Sequence, residues 1–321
     1  MPKYTFHPDL RLARVLPRGV PVRLGSRLAT LMKPKAPRDG ELLRIDSDVS
    51  VRVFRPPNAS DPAPALLWIH GGGYVMGSAR QSDDWCRQVT DRLGIITAAV
   101  DYRLAPEHPF PVPLEDCYTA LQWLAADPDV DDSRIAIGGD SAGGGLAAAL
   151  ALLAKERGAI RPVLQMLSYP MLDDQTTQRT DIDPASLRMW SQKNNRWAWN
   201  AYLGRHAATP PQLAAPARYE DLTGVAPAWL GVGANDLFYD ENLTYAERLR
   251  QAGIPGELDV VPGAYHGFDL VERTAAVSIA YRESQLAALE RALGTRPSES
   301  GAEPGSVENR NQADGAAVEQ H

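Results

Sequence analysis

The sequence predicts an α/β protein: a mainly parallel central sheet, helices on both of its faces, and a helical cap. Three observations carry that prediction. Short apolar runs alternate with helical stretches along most of the chain. One of these runs meets a glycine-flanked serine and then a long Ala/Leu helix, and another leads straight into three consecutive glycines.

Residues 1–40 precede the alternation. They hold nine Lys and Arg against two acids, and prolines at 2, 8, 17, 21, 34 and 37 would break an amphipathic presequence helix. A solvated arm packed over the active site is expected instead. The body is read as 41–295. Its strands are expected at 51–54, 65–69, 95–100, 134–137, 163–167, 228–232 and 258–261, and its helices at 81–93, 114–126, 142–157, 242–252 and 275–293. Short apolar strands separated by helices point to parallel strands buried on both faces. In the helix after Ser141, Leu146, Leu150 and Leu153 recur at helical spacing with alanines between, which suits close packing on the sheet. The alternation is interrupted at about 175–216, the expected cap insertion. There Leu187, Trp190, Asn194, Trp197 and Ala201 follow one helical face, with Trp199 and Tyr202 nearby, a stripe that would pack the cap against the body. Residues 296–321 are rich in Gly, Ser, Glu, Gln and Asn and hold no aromatic residue, so a disordered tail is expected.

The chemistry starts at Gly139-Asp140-Ser141-Ala142-Gly143. A serine between glycines, entered from a strand and left by a helix, is a nucleophile elbow. The turn is sharp and strained, and glycines on either side remove the Cβ atoms that would collide with strand and helix. The positive end of the following helix favours negative charge beside the serine. Upstream, Leu66-Leu67-Trp68-Ile69 runs into His70-Gly71-Gly72-Gly73. Consecutive glycine N–H groups can converge on one developing oxyanion, so donors are expected among Gly71, Gly72, Gly73 and Ala142. A phosphate loop fits poorly, because neither G-x-G-x-x-G nor a Walker lysine is present. His70 is read as a structural residue of this loop.

A base and an acid should follow in the order Ser, Asp/Glu, His. His266 lies in Gly263-Ala264-Tyr265-His266-Gly267-Phe268, directly after a late strand, whereas His7, His70, His108 and His206 fall in loop or cap segments and His321 ends the chain. For the acid, Asp236 stands nearest the end of the strand Ala228-Trp229-Leu230-Gly231-Val232-Gly233. Asp240 remains the alternative, though its position suits a helix cap.

These motifs, with Asp101-Tyr102-Arg103-Leu104-Ala105-Pro106-Glu107-His108-Pro109-Phe110-Pro111 between them, resemble the bacterial hormone-sensitive-lipase-like (family IV) esterases of the α/β-hydrolase superfamily over about residues 60–290. The family's acid motif has a proline after the aspartate, where this chain has Leu237. The resemblance implies the α/β-hydrolase fold, a triad of Ser141, Asp236 and His266, and oxyanion donors at Gly71, Gly72 and Ala142. It also implies cis prolyl bonds, expected before Pro106 and Pro111, and a cap over the acyl pocket, with Tyr74, Trp190 and Trp197 as candidate pocket residues. The implied reaction is hydrolysis of short- to medium-chain carboxylic esters, with no cofactor or metal; an amidase or lactonase would use the same triad. A small-molecule receptor is disfavoured by the retained His266.

Composition narrows the partners. A net charge of −7 with no basic patch interleaved with aromatics gives no reason to expect nucleic-acid binding. The two cysteines, Cys86 and Cys117, have neither metal-ligand spacing nor neighbouring histidines, and they sit in helices expected on opposite sheet faces. No apolar run reaches spanning length, and the expected compartment is the cytoplasm. The resembled family includes monomers and homodimers.

Overall fold

A computed structural model describes residues 5–29, 35–57 and 62–295. The tail expected at 296–321 and parts of the arm, 1–4 and 30–34, lie outside the described residues. Among the described residues, eight strands form one sheet: β1 (Glu41–Arg44), β2 (Ser50–Phe54), β3 (Ala63–Ile69), β4 (Ile96–Asp101), β5 (Val130–Asp140), β6 (Leu164–Ser168), β7 (Ala228–Gly233) and β8 (Gly256–Val261). Their spatial order is β1-β2-β4-β3-β5-β6-β7-β8. The β1–β2 and β2–β4 pairs are antiparallel, and every pair from β4 to β8 is parallel. The helices are α1 (Val22–Ala29), α2 (Asp83–Leu93), α3 (Val112–Ala125), α4 (Ala142–Arg157), α5 (Gln192–Leu203), α6 (Tyr239–Gln251), α7 (Phe268–Val271) and α8 (Ala276–Leu293).

All seven expected strands are present. The addition is β1, whose Glu-Leu-Leu-Arg sequence is half polar and lies at the sheet edge. Its pairing comes from the β2 ladder across a tight turn in which Ile45 N–H donates to Val49 at 3.0 Å.

Period-two alternation divides the core into two layers. In β3, Ala65, Leu67 and Ile69 join the layer under α3, α4 and α6, while Leu66 and Trp68 join the layer under α2 and α8. Cys117 of α3 and Cys86 of α2 belong to these separate layers. The glycines that open α4 permit its close approach: a Cβ at Gly143 would run into the Ile69 carbonyl, and one at Gly145 into that of Met171. The Ala105–Pro106 and Phe110–Pro111 peptide bonds are cis, as expected for that segment.

The cap corrects one expectation. Ser191 caps α5, its Oγ accepting from Asn194 N–H at 3.3 Å, so the helix begins after Leu187 and Trp190 rather than including them. The buried face of α5 is Asn194, Asn195, Ala198, Trp199, Tyr202 and Leu203, one position round from the stripe read in the sequence. Both stripes keep helical spacing, so periodicity alone could not choose between them.

Candidate active site

Strand register brings the functional loops together at the carboxyl ends of the parallel strands, where α/β sheets place their sites. Ile69 pairs with Gly139, so His70-Gly71 emerges beside Asp140-Ser141, and Ser168 pairs with both Asp140 and Gly231. Gly233 pairs with Val261, which sets the two loops after β7 and β8 side by side. Ala234 N–H donates to the Val261 carbonyl and Asn235 N–H to that of Ala264, each at 2.9 Å.

Ser141 adopts φ 55°, ψ −118°, a conformation that costs a non-glycine residue about 1–3 kcal/mol. Its backbone is held there from both sides. The N–H donates to Ser168 at 2.8 Å, and the carbonyl accepts from Gly145 and Met171, each at 2.9 Å. His266 Nε2 lies 3.0 Å from Ser141 Oγ, and Nδ1 lies 2.8 Å from Asp236 Oδ2. The other carboxylate oxygen of Asp236 accepts from the Phe238 N–H at 2.9 Å. The Asp236 side chain is fully enclosed, and that of His266 is 10% exposed. Tyr169 and Phe238 present their rings edge-to-face to the imidazole at 5.0 and 5.2 Å. Asp240, the alternative acid, lies in the first turn of α6, half exposed and paired with Arg179. The structure therefore brings Asp236, and not Asp240, to His266.

The glycine loop is braced by the segment that opens with Asp101. Tyr102 stacks on His70 at 4.3 Å and donates its hydroxyl hydrogen to the His70 carbonyl at 3.0 Å. Arg103 forms a bidentate pair with buried Asp116. Burial pushes the His70 imidazole below its usual range, against the pull of Asp101, so it serves the loop as a neutral ring. Gly72 and Gly73 have φ of 121° and 63°, and the Gly72 carbonyl accepts from Val75 and Met76 N–H at 3.2 and 3.1 Å. No backbone carbonyl accepts from the Gly71, Gly72 or Gly73 N–H among the described residues. Ala142 follows Ser141 as the first residue of α4.

Ser141 and His266 line a cavity of about 680 Å³ together with Gly71, Gly72 and Gly73. Its apolar wall comes from Val20, Met76, Met189, Trp190, Leu270 and Val271. Trp190 is thus placed in the pocket. Tyr74 and Trp197 are not among its lining residues. Tyr74 instead stacks on Tyr202 of α5 at 3.9 Å and donates its hydroxyl hydrogen to Met171, fastening the glycine loop to the cap. Trp197 lies under the Arg23 guanidinium, 5.8 Å from its ring centre. Met189 and Leu270 escaped the sequence reading because neither carries a motif; Val20 came with the expected arm.

That arm reaches the loops after β7 and β8 directly. His7 N–H donates to the Gly263 carbonyl at 3.0 Å, and Asn235 Nδ2 donates to the Thr5 carbonyl at 3.1 Å. Leu12 N–H donates to Glu272 at 3.1 Å. Next to Ser141, burial and the neighbouring Asp269 push the Asp140 carboxyl up to about 8, with Arg282 opposing. Asp269 accepts from the Tyr169 hydroxyl at 2.9 Å.

A family model for the alpha/beta hydrolase fold matches residues 66–270, and the chain belongs to that family, in its hormone-sensitive-lipase-like esterase branch. It is an enzyme of the carboxylesterase class. Esterase LipI and carboxylesterase NlhH of Mycobacterium tuberculosis are 36% and 37% identical to it, over 73% and 77% of this chain and 78% and 79% of theirs. Ethyl acetate hydrolase of Pseudomonas putida is 35% identical over 72% of this chain and 73% of its own. Among solved structures, a bacterial heroin esterase is similar at a TM-score of 0.79 and 37% identity, with 90% of this chain and 98% of that one covered. No helix among the described residues is long and apolar enough to cross a membrane.

Proposed function

We propose that the protein hydrolyses carboxylic esters of short to medium acyl chain through a covalent acyl-enzyme on Ser141. The observation that carries this reading is the unbroken hydrogen-bond line from Asp236 through His266 to Ser141 Oγ, at 2.8 and 3.0 Å. With Nδ1–H donating to Asp236, the Nε2 lone pair faces the serine hydroxyl and takes its proton as Oγ attacks the ester carbonyl. The resulting oxyanion is stabilised by N–H groups of Gly71, Gly72 and Ala142, each donor worth about 2.7–4 kcal/mol. His266 then protonates the departing alkoxide, and water attacks the acyl-enzyme by the reverse proton path. A largely apolar cavity of about 680 Å³ supports a bound acyl group. Each buried CH₂ contributes about 0.8 kcal/mol until the apolar wall ends. The names of the relatives, carboxylesterase and ethyl acetate hydrolase, support the ester class.

Turnover of a p-nitrophenyl ester series from acetate to palmitate, with matched anilides and lactones, tests the reading. The expected result is a burst of p-nitrophenol, a maximum at about four to eight acyl carbons, and slower anilide cleavage. Preferential cleavage of palmitate, or of anilides over esters, would refute it.

A further inference from the structure

We propose that the ester taken by this site carries a carboxylate on one of its two halves, read by Arg80 at the pocket wall. This rests on the esterase reading above and names the substrate class within it. Arg80 lines the same cavity as Ser141 and His266. Its backbone position is fixed by the glycine loop and β4: Ala79 N–H donates to Asp101 at 2.6 Å, and Gln81 Nε2 donates to the Gly71 carbonyl at 3.4 Å. Its exposed guanidinium makes no ion pair or hydrogen bond among the described residues.

The nearby carboxylates explain why this cation is left over. Asp83 is held bidentate by Arg52 at 2.6 Å, Asp84 is paired with Arg273 at 2.6 Å, and Asp101 accepts the Ala79 amide. Asp140, the one carboxyl on the cavity wall, is pushed up to about 8 by burial, which favours its protonated form at neutral pH. The cavity therefore presents a guanidinium with no ion-pair partner, on a wall that holds no other Lys or Arg and no carboxyl besides Asp140. The arm over the same cavity adds to this bias. Its described residues hold seven Lys and Arg against two acids in a chain whose net charge is −7, and its Val20 and Gly25 line the pocket. A guanidinium facing a carboxylate supplies two parallel N–H donors. The surrounding positive field raises the encounter rate of an anion.

The test compares kcat/KM for two matched pairs of chromogenic esters. In one pair the acyl half varies: mono-p-nitrophenyl glutarate against the p-nitrophenyl ester of its monoamide. In the other the alcohol half varies: 3-carboxy-4-nitrophenyl butyrate against its 3-carbamoyl counterpart. The expected result is a preference for the anion in at least one pair. Arg80→Gln lowers that anion-to-neutral ratio by about five- to tenfold and Arg80→Lys lowers it less. Raising salt from about 0.05 to about 0.5 M compresses the wild-type ratio. An anion-to-neutral ratio in Arg80→Gln equal to that of the wild type, in both pairs, overturns the proposal. Failure of the wild type to cleave any of the four esters would instead overturn the esterase reading, and this assignment with it.

Discussion

Replacing Asp236 with Asn tests how the acid does its work, because the structure dictates which way the amide must face. One carboxylate oxygen, Oδ1, accepts the Phe238 N–H at 2.9 Å, and the other, Oδ2, faces His266 Nδ1 at 2.8 Å. The Phe238 donor is backbone and cannot turn away. In the Asn variant the amide oxygen must keep that bond, which points the NH₂ group at Nδ1. The imidazole then loses its acceptor at Nδ1 and settles as the Nε2–H tautomer, which cannot take the serine proton. The same exchange in a Ser-His-Asp enzyme lowers kcat about 10⁴-fold, which corresponds to about 5.4 kcal/mol of transition-state stabilisation. Because the side chain is enclosed and isosteric with Asn, little else changes. Asp240→Asn is the internal control. Its side chain is half exposed and paired with Arg179, so its loss removes a surface ion pair worth about 0–1 kcal/mol and leaves kcat within about twofold. Initial rates on p-nitrophenyl butyrate, with circular dichroism to verify folding, measure both. A folded Asp236→Asn variant that keeps a tenth of the activity, or an Asp240→Asn variant that loses more, would refute the tautomer argument.

Further outcomes are expected. Ser141→Ala and His266→Ala each abolish nearly all turnover, and the double variant is little worse than either, because the pair acts as a unit; additive losses would show that it does not. Trp190→Ala enlarges the cavity and moves the preferred acyl chain longer at a stability cost of about 3–5 kcal/mol, whereas Trp197→Ala leaves the preference unchanged; the ester series reads both. For Asp140, the folded carboxyl titrates at about 8, well above its ordinary range, so the folded state holds the extra proton between the ordinary carboxyl range and pH 8. Wild-type stability therefore falls as pH rises through that window. Asp140→Asn removes this titration, so its melting temperature gains on the wild type between pH 5 and pH 8.5, at about 2–4 °C per kcal/mol; a constant difference across that range would refute the assignment.

The parts legible in the sequence are those whose chemistry is local. A serine forced into a positive φ needs small neighbours on both sides, and a loop meant to present its own amides needs glycine, so the elbow at 139–143 and the loop at 70–73 announce themselves within a few residues. Strands buried on both faces are mostly apolar, and the sheet interior was legible for that reason. The antiparallel edge β1 was not, since its ladder partner rather than its composition holds it in place. The choice between Asp236 and Asp240 also needed the fold. Both follow the same strand, and only the pairing of β7 with β8 shows which carboxylate is enclosed beside His266. The aromatics divide the same way. Trp190, Trp197 and Tyr74 share ring chemistry and similar contexts, but Ser191 starts α5 after Trp190 and leaves that ring against the cavity. Tyr74 is turned into the cap core by its stack on Tyr202. The sequence determined which reactive groups the chain possesses, because backbone strain and reactivity select residue types locally. Only the tertiary structure decided which side chains meet and which face the pocket, because direction and burial are set by contacts between segments far apart in the chain.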